Sequence, residues 1–139
     1  MNYLVTGISR GIGLELAWQI LENGHRVLGV SRRPGESAGL RALLSRFPDR
    51  LRILDADISA SDAPSRLHAE LKDGPFPDVI IHNAGIYPEG DGREDFEQGF
   101  LINSIAPWMI TRALLPLLRR KIRNSTGFPL TPRHSPQGG

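Results

Sequence analysis

Residues 6–13 read Thr6-Gly7-Ile8-Ser9-Arg10-Gly11-Ile12-Gly13 and directly follow the apolar run Tyr3-Leu4-Val5. A short strand, a glycine-rich turn and the start of a helix form the arrangement in which α/β proteins hold the diphosphate of a dinucleotide. The helix start offers unpaired backbone N–H groups and the positive end of the helix dipole. Gly7 permits a tight turn, and Gly11 and Gly13 carry no side chain that would keep a phosphate or the strand away. The turn therefore predicts a dinucleotide site near the start of the chain.

Strand-like and helix-like patterns alternate along the chain, which favours a parallel sheet covered by helices. The predicted strands are 2–6, 26–31, 51–56 and 79–82. With the glycine turn after the first strand, they predict a Rossmann-like, doubly wound α/β sheet of strand order 3-2-1-4. Lys121-Ile122-Arg123-Asn124 resembles the start of a fifth strand, so the predicted sheet is a partial one.

Apolar residues at helical spacing predict a helix after each of the first three strands and two helices after the fourth. The first helix is expected to bury Leu14, Ala17, Trp18 and Leu21. Ser59 is expected to cap the third helix, with Asp62 at the capping-box position. Phe96 and Phe100 are expected to face inward from a short helix, and a longer helix is expected over about 104–120.

Length and composition restrict the class of protein. The 139 residues suffice for one domain but are few for a complete doubly wound enzyme, and 40% hydrophobic residues suit a soluble globular protein. The absence of cysteine excludes disulfides and thiolate chemistry, and we predict no metal site. No apolar run approaches membrane-spanning length and no signal peptide precedes the first strand, so we expect a cytoplasmic protein without a membrane partner.

The formal net charge of +2 is divided unevenly, because residues 1–118 carry −3 and residues 119–139 carry +5. A nucleic-acid site would depend on the cations near residue 120 alone. Such a run is usually the solvated end of a helix, so we expect no nucleic-acid partner. We predict a dinucleotide-binding domain over 1–122 and a disordered, basic, Pro/Gly-rich tail over 123–139.

Thr-Gly-x3-Gly-x-Gly resembles the fingerprint of the short-chain dehydrogenase/reductase family more than the commoner Rossmann Gly-x-Gly-x-x-Gly. Asn83-Ala84-Gly85, after the fourth strand, is similar to the family's Asn-Ala-Gly signature, and Asn103 resembles its catalytic-helix asparagine. The resemblance covers residues 2 to about 122. It implies an oxidoreductase that transfers hydride between a dinucleotide cofactor and a small carbonyl or alcohol.

Two arginines follow the second strand at Arg32 and Arg33, where many dinucleotide folds place an acid for the ribose 2′-hydroxyl of NAD. A guanidinium pairs with a 2′-phosphate and has no acceptor for a hydroxyl. With Arg10 on the same side, NADP(H) is favoured over NAD(H). The alternative is that Arg32 and Arg33 are solvated loop charges.

Three further polar residues have a functional and a plain interpretation. By resemblance, Asp57 accepts a hydrogen bond from the adenine amino group, Asn83 steadies the sheet beside the cofactor ribose, and the backbone of Asn103 holds a water of the proton relay. Asp57 and Asn83 are also ordinary turn formers, and Asn103 precedes Pro107 in a helix that it could interrupt. His82 is expected to be packed or hydrogen-bonded rather than catalytic.

The predicted site thus draws on five segments of the chain. The predicted cofactor-binding residues are Gly7, Ser9, Arg10, Gly11, Ile12, Gly13, Arg32, Asp57, Ile58, Asn83, Ala84 and Gly85, and the predicted catalytic residue is Asn103.

The catalytic half that the resemblance implies is missing. The family's reaction uses a tyrosine that exchanges the proton, a lysine four residues later and a serine that orients the substrate oxygen. The tyrosines are Tyr3 and Tyr87, neither is followed by lysine at that spacing, and we assign no catalytic role to Ser125. We therefore expect impaired catalysis. The alternatives are a non-catalytic dinucleotide-binding or partner-binding remnant, a fragment that does not fold stably, and a truncated or frameshifted gene product.

An uncovered fourth strand would leave an apolar sheet edge bare. Together with the helix over 104–120, this edge predicts self-association.

Overall fold

The structure is a computed structural model that describes residues 1–126. Its strands are β1 (Asn2–Thr6), β2 (Arg26–Ser31), β3 (Leu51–Asp55) and β4 (Val79–Ile81). Its α-helices are α1 (Gly11–Glu22), α2 (Ala38–Arg46), α3 (Ala63–Leu71), α4 (Arg93–Phe100) and α5 (Ala106–Thr126). A 3-10 turn at Pro34–Glu36 precedes α2, and a π-helical turn at Leu101–Ile105 joins α4 to α5.

The four strands form one parallel sheet of order β3-β2-β1-β4, which confirms the predicted topology. Leu4 of β1 is in register with Leu28 of β2 on one side and with Ile80 of β4 on the other. The chain builds outward from β1 in one direction through β2 and β3, and then returns to the other side of β1. The carboxyl ends of β1 and β4 therefore flank a topological switch point, where doubly wound folds bind their ligands.

Helices cover both faces of the sheet because successive strand residues point to opposite sides. Leu4 contributes to a core shared with α3 and α5, where Leu67 and Leu114 are fully buried. Val5, its neighbour in β1, contributes to a second core shared with α1 and α2, where Leu21 is fully buried. The turn after β1 is thus held by a strand packed on both faces.

Three aromatic residues predicted to face the core are exposed instead. Trp18 is 37% exposed and stacks under the Arg46 guanidinium, whose carbon lies 4.7 Å from the ring centroid. Phe96 and Phe100 of α4 are 52% and 64% exposed. The buried residue of α4 is Gly99. Its missing side chain lets the neighbouring loop pack closely, and the aromatic side of the helix is left facing outward.

The predicted cap of the third helix is wrong. α3 begins at Ala63 with Asp62 as its N-cap residue, several residues after Ser59. Pro64 lies in the first turn of α3, where the missing N–H of proline has no cost. Ser59 instead donates hydrogen bonds to the Asp57 carboxylate.

The predicted fifth strand is also wrong for the residues that the structure describes. α5 continues to Thr126, so 121–124 are helical, as are the first four residues of the predicted tail. Lysine and arginine have high intrinsic helix propensity, and cations are favoured near a helix C-terminus. The remainder of the predicted tail, 127–139, lies outside the described residues. Within residues 1–126, β4 is an edge strand.

The helical stretch from Arg93 to Leu118 spans 26 residues, and an 18-residue window within it reaches a mean hydropathy of 1.4. It is the one helix of residues 1–126 whose length and composition suffice to cross a membrane, which corrects the expectation that no apolar run approaches that length. Core helices of soluble proteins meet the same criterion. Ile110 and Leu114 are fully buried against the sheet and α3, so part of this apolar content serves the core.

Candidate functional site

The glycine-rich turn lies at the carboxyl end of β1, beside the switch point. Gly7 has a φ of +73°, in the left-handed region, and a Cβ there would lie 2.8 Å from the Cα of Ala84. Both its conformation and its surroundings therefore require glycine. A Cβ on Gly13 would overlap the Gly7 carbonyl oxygen and the amide nitrogen of Asn83. The turn thus has no room for side chains at these two positions.

Ile8 anchors the same turn to the sheet. Its side chain is fully buried and lies over Gly29 of β2, where any Cβ would overlap the Ile8 side chain. The Gly7 N–H donates to the Val30 carbonyl at 2.9 Å. The turn is therefore attached to β2 by packing and by a backbone hydrogen bond.

The residues after β4 are hydrogen-bonded to the end of β1. Asn83 Nδ2 donates to the carbonyl oxygens of Thr6 at 3.2 Å and of Gly7 at 3.0 Å. The Ala84 N–H donates to the buried hydroxyl of Thr6 at 3.1 Å. Asn83 and Ala84 thus clamp the two strands on either side of the switch point.

Helix α1 presents its N-terminus beside this clamp. Arg10 is the N-cap residue, and its side chain makes no capping hydrogen bond. The first N–H groups of an α-helix have no intrahelical partner. The N–H groups of Gly11, Ile12 and Gly13 lie in that first turn, and the Ile12 side chain is 75% exposed. An anion placed here would accept hydrogen bonds from the backbone.

Asp57 and Arg32 lie near each other beyond β3 and β2. Burial raises the pKa of Asp57, but hydrogen bonds from Ser59 and the charge of Arg32 outweigh it and hold the pKa below its ordinary value. The Ser59 hydroxyl and N–H donate to the same Asp57 oxygen at 2.7 and 2.9 Å. In residues 1–126, the two Ser59 hydrogen bonds go to one oxygen of the ionised Asp57 carboxylate. The Ile58 side chain is buried in the core that α3 and α5 share with the sheet.

Arg33 is oriented differently from Arg32. Its guanidinium forms an ion pair with Glu36 at 3.6 Å, and both side chains are more than 70% exposed. Such surface pairs contribute little to stability. The pair nevertheless gives Arg33 a partner of its own, which leaves Arg32 as the better candidate for a ligand.

Ser37 is a residue of this site that the sequence analysis missed. Its hydroxyl donates to the Ser9 carbonyl at 2.6 Å and accepts from the Leu40 N–H at 3.1 Å. A serine just before an apolar helical pattern is a recognisable N-cap signal. The bond to Ser9 carries no such signal, because 28 positions separate the two residues.

Asn103 lies in the π-helical turn between α4 and α5. The sequence indicated that Asn103 could interrupt a helix, and this turn is the irregularity found there. π-turns occur frequently at functional sites. Its Oδ1 accepts from the Ile86 N–H at 2.9 Å, and its Nδ2 donates to the Ile86 carbonyl at 2.7 Å. Asn103 therefore holds the loop that follows Asn83-Ala84-Gly85. An open cleft lies beside it, lined by Pro88, Phe96, Gly99, Phe100, Asn103 and Ser104.

His82 joins the end of β4 to α5. Its Nε2 lies 2.8 Å from the hydroxyl of Thr111, which confirms that this histidine is hydrogen-bonded. Its Nδ1 is buried and has no hydrogen-bond partner among the described residues. Burial lowers the pKa of His82, so the neutral ring is favoured in the folded chain.

Comparison with known proteins agrees with this geometry. A sequence model of the short chain dehydrogenase family matches residues 2–127. The chain belongs to the short-chain dehydrogenase family.

Curated members of the family are similar over most of this chain. The NADPH-dependent pterin aldehyde reductase of Arabidopsis thaliana is 28% identical over 121 residues, which are 83% of this chain and 50% of that protein. Dehydrogenase/reductase SDR family member 13 of Bos taurus is 35% identical over 120 residues, 84% of this chain and 32% of that protein. The chain thus spans half or less of the length of these relatives.

Solved structures of short-chain dehydrogenases share the fold. A carbonyl reductase of Pseudomonas aeruginosa in complex with NADP is 39% identical, with a TM-score of 0.76 over 83% of this chain and 55% of that one. A short-chain dehydrogenase of Streptomyces avermitilis is 29% identical, with a TM-score of 0.78 over 86% of this chain and 45% of that one.

The two tyrosines of the chain lie in β1 and in the loop after β4. Tyr3 is in β1, where its hydroxyl lies 3.8 Å from the Met1 sulfur. Tyr87 is 91% exposed in the loop after β4. The residues four positions later are Gly7 and Asp91, so no lysine assists either hydroxyl at that spacing.

Proposed function

We propose that residues 1–122 form the NADP(H)-binding part of a short-chain dehydrogenase that interconverts carbonyls and alcohols. The observation that carries this proposal is the glycine-rich turn held between β1, β2 and β4 with Arg32 following β2. Among the relatives, the A. thaliana reductase is named as NADPH-dependent and the P. aeruginosa reductase was solved with NADP. The carbonyl or alcohol substrate is a proposal about the whole protein, and a cytoplasmic location stays a prediction.

The argument for NADP(H) over NAD(H) rests on charge. Positions 31–33 are Ser-Arg-Arg, so the site has no carboxylate at the end of β2 to accept from a ribose 2′-hydroxyl. Arg32 can donate to a 2′-phosphate in a charge-assisted pair. The Asp57 carboxylate lies near Arg32 and offsets part of its positive charge. Arg10 at the N-cap of α1 can supply a second cation.

Titration of the protein with NADPH and with NADH tests this proposal. NADPH is expected to bind more tightly, and Arg32→Ala is expected to remove most of the difference. A hydrogen bond to a charged group contributes about 1.5–3 kcal/mol, which corresponds to roughly a ten- to hundredfold change in affinity. Arg33→Ala is the matched control, because it removes the neighbouring charge that is paired with Glu36. Equal affinities of the unaltered chain for both cofactors would refute the preference.

We further propose that this chain self-associates through α5 and the edge of β4. Ile110 and Leu114 on one side of α5 are buried, whereas Trp108 and Leu115 on the other side are 57% and 38% exposed, and Ile105 in the preceding π-helical turn is 50% exposed. Large apolar side chains grouped on one surface are typical of interaction sites. This surface also favours the alternative function of a non-catalytic binding module, which the turnover measurement below distinguishes from an enzyme.

A further inference from the structure

We propose that Ser37 is a positioning residue that sets the preference for the 2′-phosphate of NADP(H). This inference rests on the proposed function. The Ser37 hydroxyl donates to the Ser9 carbonyl at 2.6 Å and accepts from the Leu40 N–H at 3.1 Å. It therefore lies between the glycine-rich turn and the first turn of α2.

The bond to Ser9 orients the residue that follows it. The Ser9–Arg10 peptide is trans, because the cis peptide of the described chain is Gly74–Pro75. In a planar trans peptide the N–H points away from the carbonyl oxygen. Holding the Ser9 carbonyl toward Ser37 therefore fixes the direction of the Arg10 N–H and the point from which the Arg10 side chain leaves the turn.

The other side of Ser37 is connected to Arg32 by a tightly bonded turn. The Glu36 N–H donates to the Arg33 carbonyl at 3.2 Å, and the Ser37 N–H donates to the Pro34 carbonyl at 3.2 Å. Arg41 adds a hydrogen bond of 2.6 Å to the Gly35 carbonyl within the same turn. These bonds limit how far the segment after Arg32 can move relative to Ser37.

The Ser37 hydroxyl thus joins two segments that each carry a guanidinium of the proposed 2′-phosphate site. In the part of the chain that the structure describes, the Ser37 hydroxyl forms the hydrogen bond that connects the glycine-rich turn to the 32–37 segment. Arg10 belongs to the first segment and Arg32 to the second. A group bound by both arginines depends on their separation, whereas a diphosphate at the start of α1 does not depend on Arg32. Loss of the Ser37 bond should therefore weaken NADPH more than NADH.

Variants of Ser37 separate this role from helix capping. Ser37→Ala removes both the cap and the donor to Ser9. Ser37→Gly also removes the donor, but glycine at an N-cap destabilises the helix much less than alanine does. Ser37→Thr keeps both functions. Ser45→Ala is the control, because the Ser45 hydroxyl bonds to the Arg41 carbonyl within the same helix.

The measurement is the ratio of the NADH to the NADPH dissociation constant, with the thermal midpoint of each variant. Ser37→Ala and Ser37→Gly are expected to lower this ratio by the same factor, roughly three- to tenfold for one hydrogen bond. Ser37→Thr is expected to restore it, and Ser45→Ala to leave it unchanged. If both cofactors weaken equally, or the effect follows the thermal midpoint, Ser37 is only a cap and the inference is overturned. Equal binding of both cofactors by the unaltered chain would overturn the proposed function as well.

Discussion

Gly13→Ala is expected to destabilise the fold and the cofactor site together. The added Cβ overlaps the Gly7 carbonyl oxygen and the amide of Asn83, and the first of these is backbone that no rotamer change can move. Relief by Asn83 would disrupt its two hydrogen bonds to the carbonyls of Thr6 and Gly7. Two hydrogen bonds contribute about 1–3 kcal/mol, and overpacking costs about 1–3 kcal/mol. We therefore expect a loss of about 2–6 kcal/mol, a large part of the stability of a domain.

Urea denaturation followed by circular dichroism measures the loss of stability, and an NADPH titration below the transition measures the site. Gly35→Ala is the matched control, because a Cβ at Gly35 meets nothing within 4 Å and Gly35 has no positive φ. It should change the free energy of unfolding by less than about 0.5 kcal/mol. An unchanged urea midpoint for Gly13→Ala, with NADPH bound as before, would show that the close approach of α1 to β1 and β4 is not required.

Three further predictions concern pH, turnover and assembly. Burial lowers the folded-state pKa of His82 below its ordinary value of about 6.5. The unfolded chain therefore takes up the proton more readily, and stability should fall as the pH drops below about 6.5. The folded-state pKa of Asp57 is below 3.8, so its ionised form should add to stability, and this contribution should be lost in more acidic solution. A free energy of unfolding that does not change from neutral to acidic pH would contradict both expectations. Carbonyl reduction by the 139-residue chain should be very weak, because loss of general acid catalysis lowers the rate about 10²–10⁴-fold. Ordinary turnover that Tyr87→Phe abolishes would contradict this and would show that Tyr87 acts as the acid. Trp108→Ala should shift the protein toward monomer in sedimentation velocity, and a chain that is monomeric before the substitution would refute self-association.

Local signals in the sequence were sufficient for the sheet and the turn. The structure confirms the predicted strand order. The order was predictable because apolar runs, helical spacing and the glycine pattern are properties of short segments, and topology rules leave few ways to connect those segments. The requirement for glycine at Gly7 and Gly13 was also predictable, since the turn needs close approach. The cofactor contacts of the predicted residues stay predictions.

Other features depended on partners that are distant along the chain. The exposure of Phe96 and Phe100 follows from the side of α4 that packs, and the apolar spacing alone does not identify that side. Ser59 had the residue type of a helix cap, but a nearby carboxylate and a proline in α3 decided its bonding instead.

The sequence by itself determined a parallel sheet with a glycine-rich turn at its switch point, because those signals are local. Only the tertiary structure decided which side chains hold that turn. Asn83 is 76 positions from Gly7 and Ser37 is 28 positions from Ser9, yet each donates a hydrogen bond to a carbonyl of the turn. A hydrogen bond needs its donor and acceptor within about 3 Å in the right direction. That condition is met only after the strands and helices have packed.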